Sequence, residues 1–442
     1  MGRKLKSRIL KLLMNGDPVG EWKLASTGSH EFVYDASWLS SPLCRPLSLS
    51  MPLREQRYSG DIVYSFFDNL LPDNEVIRRR IRDRFSAGST DAFQLLAEIG
   101  RDCVGAVQLV PEGENTPDVR KITADPVNDQ EIERLIARSL SPVGFGNAPD
   151  RSGEFRISLA GAQEKTALLW HEGQWKIPRG ATPTTHIFKL PLGRMGHFNI
   201  DMTGSVENEW LCSRLLTAYG LPIAACRMAQ FGERRTLIVE RFDRKMADDR
   251  SWIIRLPQED MCQATGTPPG LKYESEGGPG IRTVMNLLLG SSMAEEDRRA
   301  FFRAQIAFKL LCAIDGHAKN FSLFIDRGGS YHLTPLYDVL SAYPVMGSGP
   351  DKLDPHKVRM AMAVLGNSRH YVWKNIQRKH FMTTGARCGL NSRTCSDIID
   401  DLLDRTPAVI DRVSDELPAG FPPQVADAIF EGLKQCVDEL GG

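Results

Sequence analysis

The tightest constraint in the sequence is an ordered run between residues 301 and 338. The apolar stretch Phe301 to Ile314 reads as a buried helix that delivers Asp315 and opens the loop Asp315-Gly-His-Ala-Lys-Asn320. Phe321 to Thr334 then reads as a hairpin with the turn Asp326-Arg-Gly-Gly329, which returns the chain to Leu336-Tyr-Asp338. Helix, loop and hairpin in that order bring Asp315, Asn320 and Asp338 within reach of one another. Taken singly, Asp315-Gly316 is an ordinary helix C-terminal turn and Asp338 an ordinary cap. The ordered set is what argues for chemistry.

The Asp-x-x-x-x-Asn spacing matches a protein-kinase catalytic loop. A phosphoryl group in transfer needs Mg²⁺ across its oxygens, and that hard cation takes carboxylate and amide oxygens as ligands. Asn320 and Asp338 are the candidate Mg²⁺ ligands. Asp315 is the candidate catalytic residue, free of metal and facing the acceptor hydroxyl.

Upstream, Ser158-Leu-Ala-Gly-Ala-Gln-Glu-Lys165 joins a loop to a strand and places small residues where backbone would approach phosphate. It is neither a Walker A sequence nor G-x-G-x-x-G, so on its own it equally describes a plain turn. Lys189 stands alone among apolar neighbours in His186-Ile-Phe-Lys-Leu190, where a strand lysine reaches the α- and β-phosphates of ATP. The alternative is an edge lysine with its amine in water. Glu207 and Glu209 both qualify as its ion-pair partner, with Glu209 preferred, on a helix expected from Ser205 to Tyr219 with Ser205 as N-cap and Gly220 as stop. Val239-Glu-Arg-Phe-Asp243 follows a strand and stands where a hinge would read adenine. His317 is either a phosphate donor or a support of the loop.

The fold class expected is α+β in three parts. Residues 1–150 mix short strands and helices as an amino-terminal α/β domain; 151–255 read as a small sheet with one helix; 256–442 read as helical apart from the hairpin. Balanced charge, 55 Lys+Arg against 55 Asp+Glu, gives no overall field toward nucleic acid or an anionic membrane. Nine cysteines without C-x-x-C spacing, and no run approaching a membrane span, lead to the expectation of a reduced, cytoplasmic, non-exported chain. The basic stretch Val76 to Arg84 reads as a solvated helix face.

The chain resembles the HipA family of bacterial toxin kinases. The resemblance rests on Phe155 to Thr166, Pro183-Thr-Thr-His-Ile-Phe-Lys189, Val239 to Asp243, Arg255 to Cys262, Lys272 to Gly280 and Asp315 to Asn320, together with Arg45 to Ser50 and Phe66 to Asp73. It implies a protein-kinase-like two-lobe fold with an additional amino-terminal α/β domain, a small ATP-binding lobe and an all-helical carboxyl-terminal lobe. By the same resemblance Asp315 is catalytic, Asn320 and Asp338 hold Mg²⁺, and Lys189 holds ATP. Further nucleotide contacts fall at Ala160, Gly161, Ala162, Gln163, Glu164 and Lys165, at Glu240, Arg241 and Phe242, at His317, Ala318 and Lys319, and at Tyr337. Ser158 matches an inactivating autophosphorylation site.

Also implied are a small DNA-binding, HipB-like antitoxin, operator DNA reached mainly through it, and a glutamate-tRNA ligase as protein substrate. The complex with antitoxin and DNA places the chain at the nucleoid. The likeness fades after about residue 345, where Arg369 to Lys379 is basic and a direct DNA contact stays open. Two other readings remain at this stage: a small-molecule or lipid kinase, and a catalytically silent repressor subunit.

Overall fold

The computed structural model describes residues 8–140, 163, 165–196 and 199–441. At the amino terminus, strands Arg8–Met14, Asp17–Leu24, His30–Tyr34, Tyr58–Ser59 and Val107–Pro111 form one antiparallel sheet, with Tyr58–Ser59 and Val107–Pro111 at its edges. The first hairpin turns on Asn15 and Gly16, both at positive φ (52° and 86°), as a two-residue turn between twisted strands requires. Helices Asp61–Asp68 and Ala92–Ile99 cover the sheet, and Trp22 stacks on Phe67 with ring centroids 3.9 Å apart.

The second sheet has six antiparallel strands in the order Cys226–Phe231, Arg234–Glu240, His186–Lys189, Lys165–His171, Gln174–Pro178 and Ala124–Pro126. Its last member corrects the boundary expected at residue 150. Ala124–Pro126, expected within the amino-terminal domain, already belongs to this sheet. The helix Asp129–Leu140 packs Ile132 and Ile136 against Leu168, Phe188 and Ile238. The helix Ser205–Ala218 forms as expected, but its N-cap is Gly204 and makes no side-chain cap bond. Ser205 Oγ instead accepts the Leu192 N–H at 2.9 Å. Gly220, at φ 81°, ends the helix in the left-handed region.

The carboxyl-terminal lobe is largely helical, with Ala294–Leu310, Arg378–Arg387, Ser392–Asp415 and Pro423–Gly441 around one large core. It is not all-helical. Strands Ser322–Ile325 and Tyr331–Leu333 form the expected hairpin, and Ser322–Ile325 also pairs with Gln258–Asp260. A second, unexpected hairpin joins Arg359–Leu365 to Arg369–Val372; its inner residues Met360 to Val364 are buried, so the continuous apolar run belongs to a core strand. The helix expected at 301–314 begins earlier and stops at Leu310, because the chain turns at Cys312 (φ 48°) before Asp315.

Buried ion pairs join the amino-terminal sheet to the rest. Asp102 receives Arg244 at 2.9 Å, Arg241 at 3.3 Å and Arg255 at 3.4 Å, while Asp243 receives Arg241 and Arg244 at 2.9 and 2.8 Å. All five side chains are almost fully buried, so each charge depends on the others for the solvation that water would give. Beside them the Asn15 side-chain amide exchanges two 2.8 Å hydrogen bonds with the backbone of Arg255.

Candidate active site

The six-stranded sheet and the helical lobe face each other across a cavity of about 340 Å³. Lys165 and Lys189 stand directly opposite on adjacent strands, which by itself is unfavourable for two cations. Acidic groups compensate. Lys189 Nζ donates to Glu209 Oε1 at 2.5 Å and to Asp338 Oδ1 at 2.8 Å. Burial opposes the ammonium charge, but Asp338 and Glu209 outweigh it and hold Lys189 above its ordinary value. Lys165 is pushed down to about 8, with burial the main cause and Asp338 a partial counterweight. Glu207 bonds Arg235 at 2.7 Å instead, which settles the sequence choice in favour of Glu209.

Asp338 reaches Lys189 through an uncommon backbone conformation, φ 61° at a non-glycine residue. Burial would raise its carboxyl, yet Lys189 and Lys165 outweigh that and keep it below the usual carboxylate range. Neighbouring bonds fix the turn. Leu336 O accepts the Ala224 N–H at 2.8 Å, and Tyr337 Oη contacts Ser322 Oγ at 2.5 Å and donates to Lys319 O at 2.8 Å. Asn320 lies beside Asp338, its Nδ2 3.5 Å from Asp338 O and its Oδ1 accepting the His317 N–H at 3.2 Å.

Asp315 is exposed at the cavity mouth, and Tyr273 Oη donates to its Oδ1. His317 is buried with its ring edge-on to Tyr273, centroids 5.1 Å apart; burial, only partly offset by Asp315, holds it below its ordinary value. Thus a carboxylate open to an acceptor and a carboxylate–amide pair lie around one cleft. The apolar side is lined by Ile187, Ala224, Val239, Phe242 and Tyr337, with the last two rings 5.8 Å apart. Cations at one place and apolar walls at another suit a nucleoside phosphate.

No group of three or more His, Cys, Asp or Glu side chains gathers around a metal position among the described residues. The Asn320 and Asp338 oxygens nevertheless fit Mg²⁺, which usually takes only one or two protein carboxylates and completes its shell with water and substrate phosphates.

Several expected contacts take other roles. Lys319 lines the cavity, but its Nζ donates to Asn69 O (3.0 Å), Asn69 Oδ1 (2.7 Å) and Asp260 Oδ2 (3.1 Å), which uses all three of its protons. Ala318 is fully buried, does not line the cavity, and donates its N–H to Lys272 O at 3.2 Å. Arg241 lines the cavity, but its guanidinium is consumed by the ion pairs to Asp102 and Asp243, so its side chain is not offered to a nucleotide. Glu240, Phe242, His317, Tyr337 and Gln163 do line the cavity, Gln163 with its Nε2 bonded to Leu190 O. Ser158, Ala160, Gly161, Ala162 and Glu164 lie outside the described residues.

A family model for the HipA-like C-terminal domain matches residues 157–410, more than half of the chain. The chain belongs to the HipA family. A second model, the HipA N-terminal domain, matches residues 10–110. Among similar sequences, the Sinorhizobium fredii protein Y4mE, whose name assigns it provisionally as a kinase, is 32% identical over 418 residues, 92% of each chain. The serine/threonine-protein kinase toxin HipA of Shewanella oneidensis is 29% identical over 373 residues, 81% of this chain and 79% of its own. The solved HipA of Shewanella oneidensis, in complex with HipB and its operator DNA, superposes with a TM-score of 0.80 at 23% identity, covering 98% of this chain and 97% of the other. That likeness establishes the HipA fold, an α+β arrangement, over nearly the whole length.

Asp73, which lines the cavity, and Tyr273, which donates to Asp315, are among the residues of this HipA chain left without a role in the sequence reading. Both sit in segments quoted for the family resemblance, Lys272 to Gly280 and Phe66 to Asp73, without an assigned role. A tyrosine and an aspartate without a chemical pattern around them carry no local signal.

Proposed function

We propose that this chain is an ATP- and Mg²⁺-dependent serine/threonine-protein kinase and the toxin of a toxin–antitoxin pair. The observation that carries the reading is Lys189 bonded at once to Glu209 and Asp338, which ties the small-lobe sheet to the catalytic hairpin. Bound Mg²⁺-ATP supplies the transferable γ-phosphoryl group and the charge neutralisation for its transfer. Lys165 and Lys189 hold phosphate oxygens, Asn320 and Asp338 hold the metal, and the walls around Phe242 and Tyr337 take the base. Asp315 orients the acceptor hydroxyl and receives its proton. Its exposure leaves room for a protein serine to approach.

The finer assignments follow the family. The protein substrate is a glutamate-tRNA ligase, whose modification inhibits translation and promotes dormancy. Ser158 is the site of inactivating autophosphorylation, because a dianionic phosphate at the start of the nucleotide loop repels ATP. A HipB-like antitoxin joins the chain as corepressor on operator DNA. The chain alone binds DNA weakly: its charges balance, Arg369 pairs with Glu274, and Arg378 bonds Asp400 at 2.5 Å rather than joining one continuous basic helix face. The chain works in the cytoplasm, at the nucleoid when complexed; among the described residues no helix is long and apolar enough to cross a membrane.

Incubation with ATP and Mg²⁺ followed by intact-mass measurement and phosphopeptide mapping tests the reading. One added phosphate at Ser158 is the expected result. An unchanged mass, or label confined to other residues, removes the autophosphorylation switch; mobility-shift titration with and without the antitoxin tests the division of DNA binding.

A further inference from the structure

The segment linking helix Asp61–Asp68 to helix Glu75–Phe85 belongs to the amino-terminal domain, yet Asn69, Leu70 and Asp73 line the kinase cavity. Asp73 Oδ2 accepts from Lys272 Nζ at 2.9 Å, and its Oδ1 lies 3.9 Å from Lys319 Nζ without a hydrogen bond. Each lysine is one residue from the chemistry. Lys272 precedes Tyr273, whose hydroxyl binds Asp315, and Lys272 O also accepts the Ala318 N–H inside the catalytic loop. Lys319 precedes Asn320, and its three donors are spent on Asn69 and Asp260.

From this we infer that the amino-terminal domain is a working part of the phosphoryl-transfer site, with Asp73 as a positioning residue that holds Asp315 through Lys272 and Tyr273. The inference rests on the kinase reading above and deepens it. Asp73 makes no hydrogen bond to Lys189, Glu209 or Asp338, which form their own bonded set on the nucleotide side. Loss of Asp73 therefore misplaces the acceptor side of the site and leaves the nucleotide side intact. Misplacement of about 1 Å at a reacting group costs on the order of 100-fold in rate.

The test uses the full chain, with Asp73→Asn and Asp73→Ala compared with Lys272→Met and with the double variant Asp73→Ala/Lys272→Met. Turnover is expected to fall by roughly 10- to 100-fold in each single variant, with Mg²⁺-ATP affinity held within about twofold. The double variant is expected to fall no further than the worse single one, because both break the same link. Asp73→Asn keeps the shape and removes only the charge, so it separates positioning from folding. Wild-type turnover in Asp73→Asn, or a turnover loss matched by an equal loss of ATP affinity, overturns the inference. Absence of turnover in the wild-type chain itself overturns the kinase reading and this inference with it.

Discussion

Lys189 and Asp338 meet at 2.8 Å, although they lie on different lobes and 149 positions apart in the chain. The contact places the ammonium group of the small-lobe sheet on the carboxylate that follows the hairpin of Ser322–Ile325 and Tyr331–Leu333. Glu209 completes the set at 2.5 Å.

Removing the cation from this set has two expected effects. Lys189→Met leaves Glu209 buried without its partner, and stability falls by about 3–5 kcal/mol, the usual result of stripping one member from a buried pair. Mg²⁺-ATP affinity falls as well, because a phosphate contact is lost. Glu209→Gln keeps Asp338 on Lys189 and should lose less stability. Urea unfolding and nucleotide titration of both variants check the order; a Lys189→Met chain with wild-type ATP affinity contradicts the assignment.

Asp102 should be a stability residue rather than a chemical one. It accepts from Thr184 N at 3.0 Å and Thr184 Oγ1 at 2.8 Å in addition to its three arginines. Asp102→Ala leaves Arg241 and Arg244 with Asp243 alone and Arg255 without a carboxylate partner, at a cost of about 3–5 kcal/mol. A shift in the urea midpoint measures it, and a change below about 1 kcal/mol contradicts the network account.

A pH effect is expected at Glu259, which is fully buried and accepts the Leu49 N–H at 2.8 Å. Burial pushes its carboxyl up to about 8 from an ordinary 4.5. The folded chain thus binds this proton more tightly than the unfolded chain. Its stability contribution is fully present below about pH 4.5 and is lost as pH rises through 8. Glu259→Gln keeps an oxygen for Leu49 and carries no charge at any pH. Unfolding midpoints at pH 5, 6, 7 and 8 should show the wild type falling progressively relative to the variant; a constant difference across that range contradicts the prediction.

What could be read from sequence followed chain proximity. Asp315, Asn320 and Asp338 lie within one helix–loop–hairpin unit, so their spacing carried the geometry, and Lys189 stood out as a charge in an apolar strand. The direction taken by Lys319 was hidden, because its partner Asn69 is 250 positions away. Arg241 was hidden in the same way, turned toward Asp102 at a separation of 139. In the fold, polar and Pro-bearing sequence before Ala124 obscured a three-residue edge strand, since so short a strand takes its identity from the partner at Gln174–Pro178. The hairpin Arg359–Val372 was hidden by tertiary burial of an alanine- and methionine-rich strand with little β preference of its own.

The central claim, that Asp315 serves the acceptor while Asp338 serves the metal nucleotide, is tested most directly by measuring phosphoryl transfer from ATP and Mg²⁺-ATP affinity together in Asp315→Asn and Asp338→Asn. The account predicts that Asp315→Asn loses transfer and keeps near-normal ATP affinity, whereas Asp338→Asn loses both. Wild-type turnover in Asp315→Asn, or undiminished Mg²⁺-ATP affinity in Asp338→Asn, would contradict it.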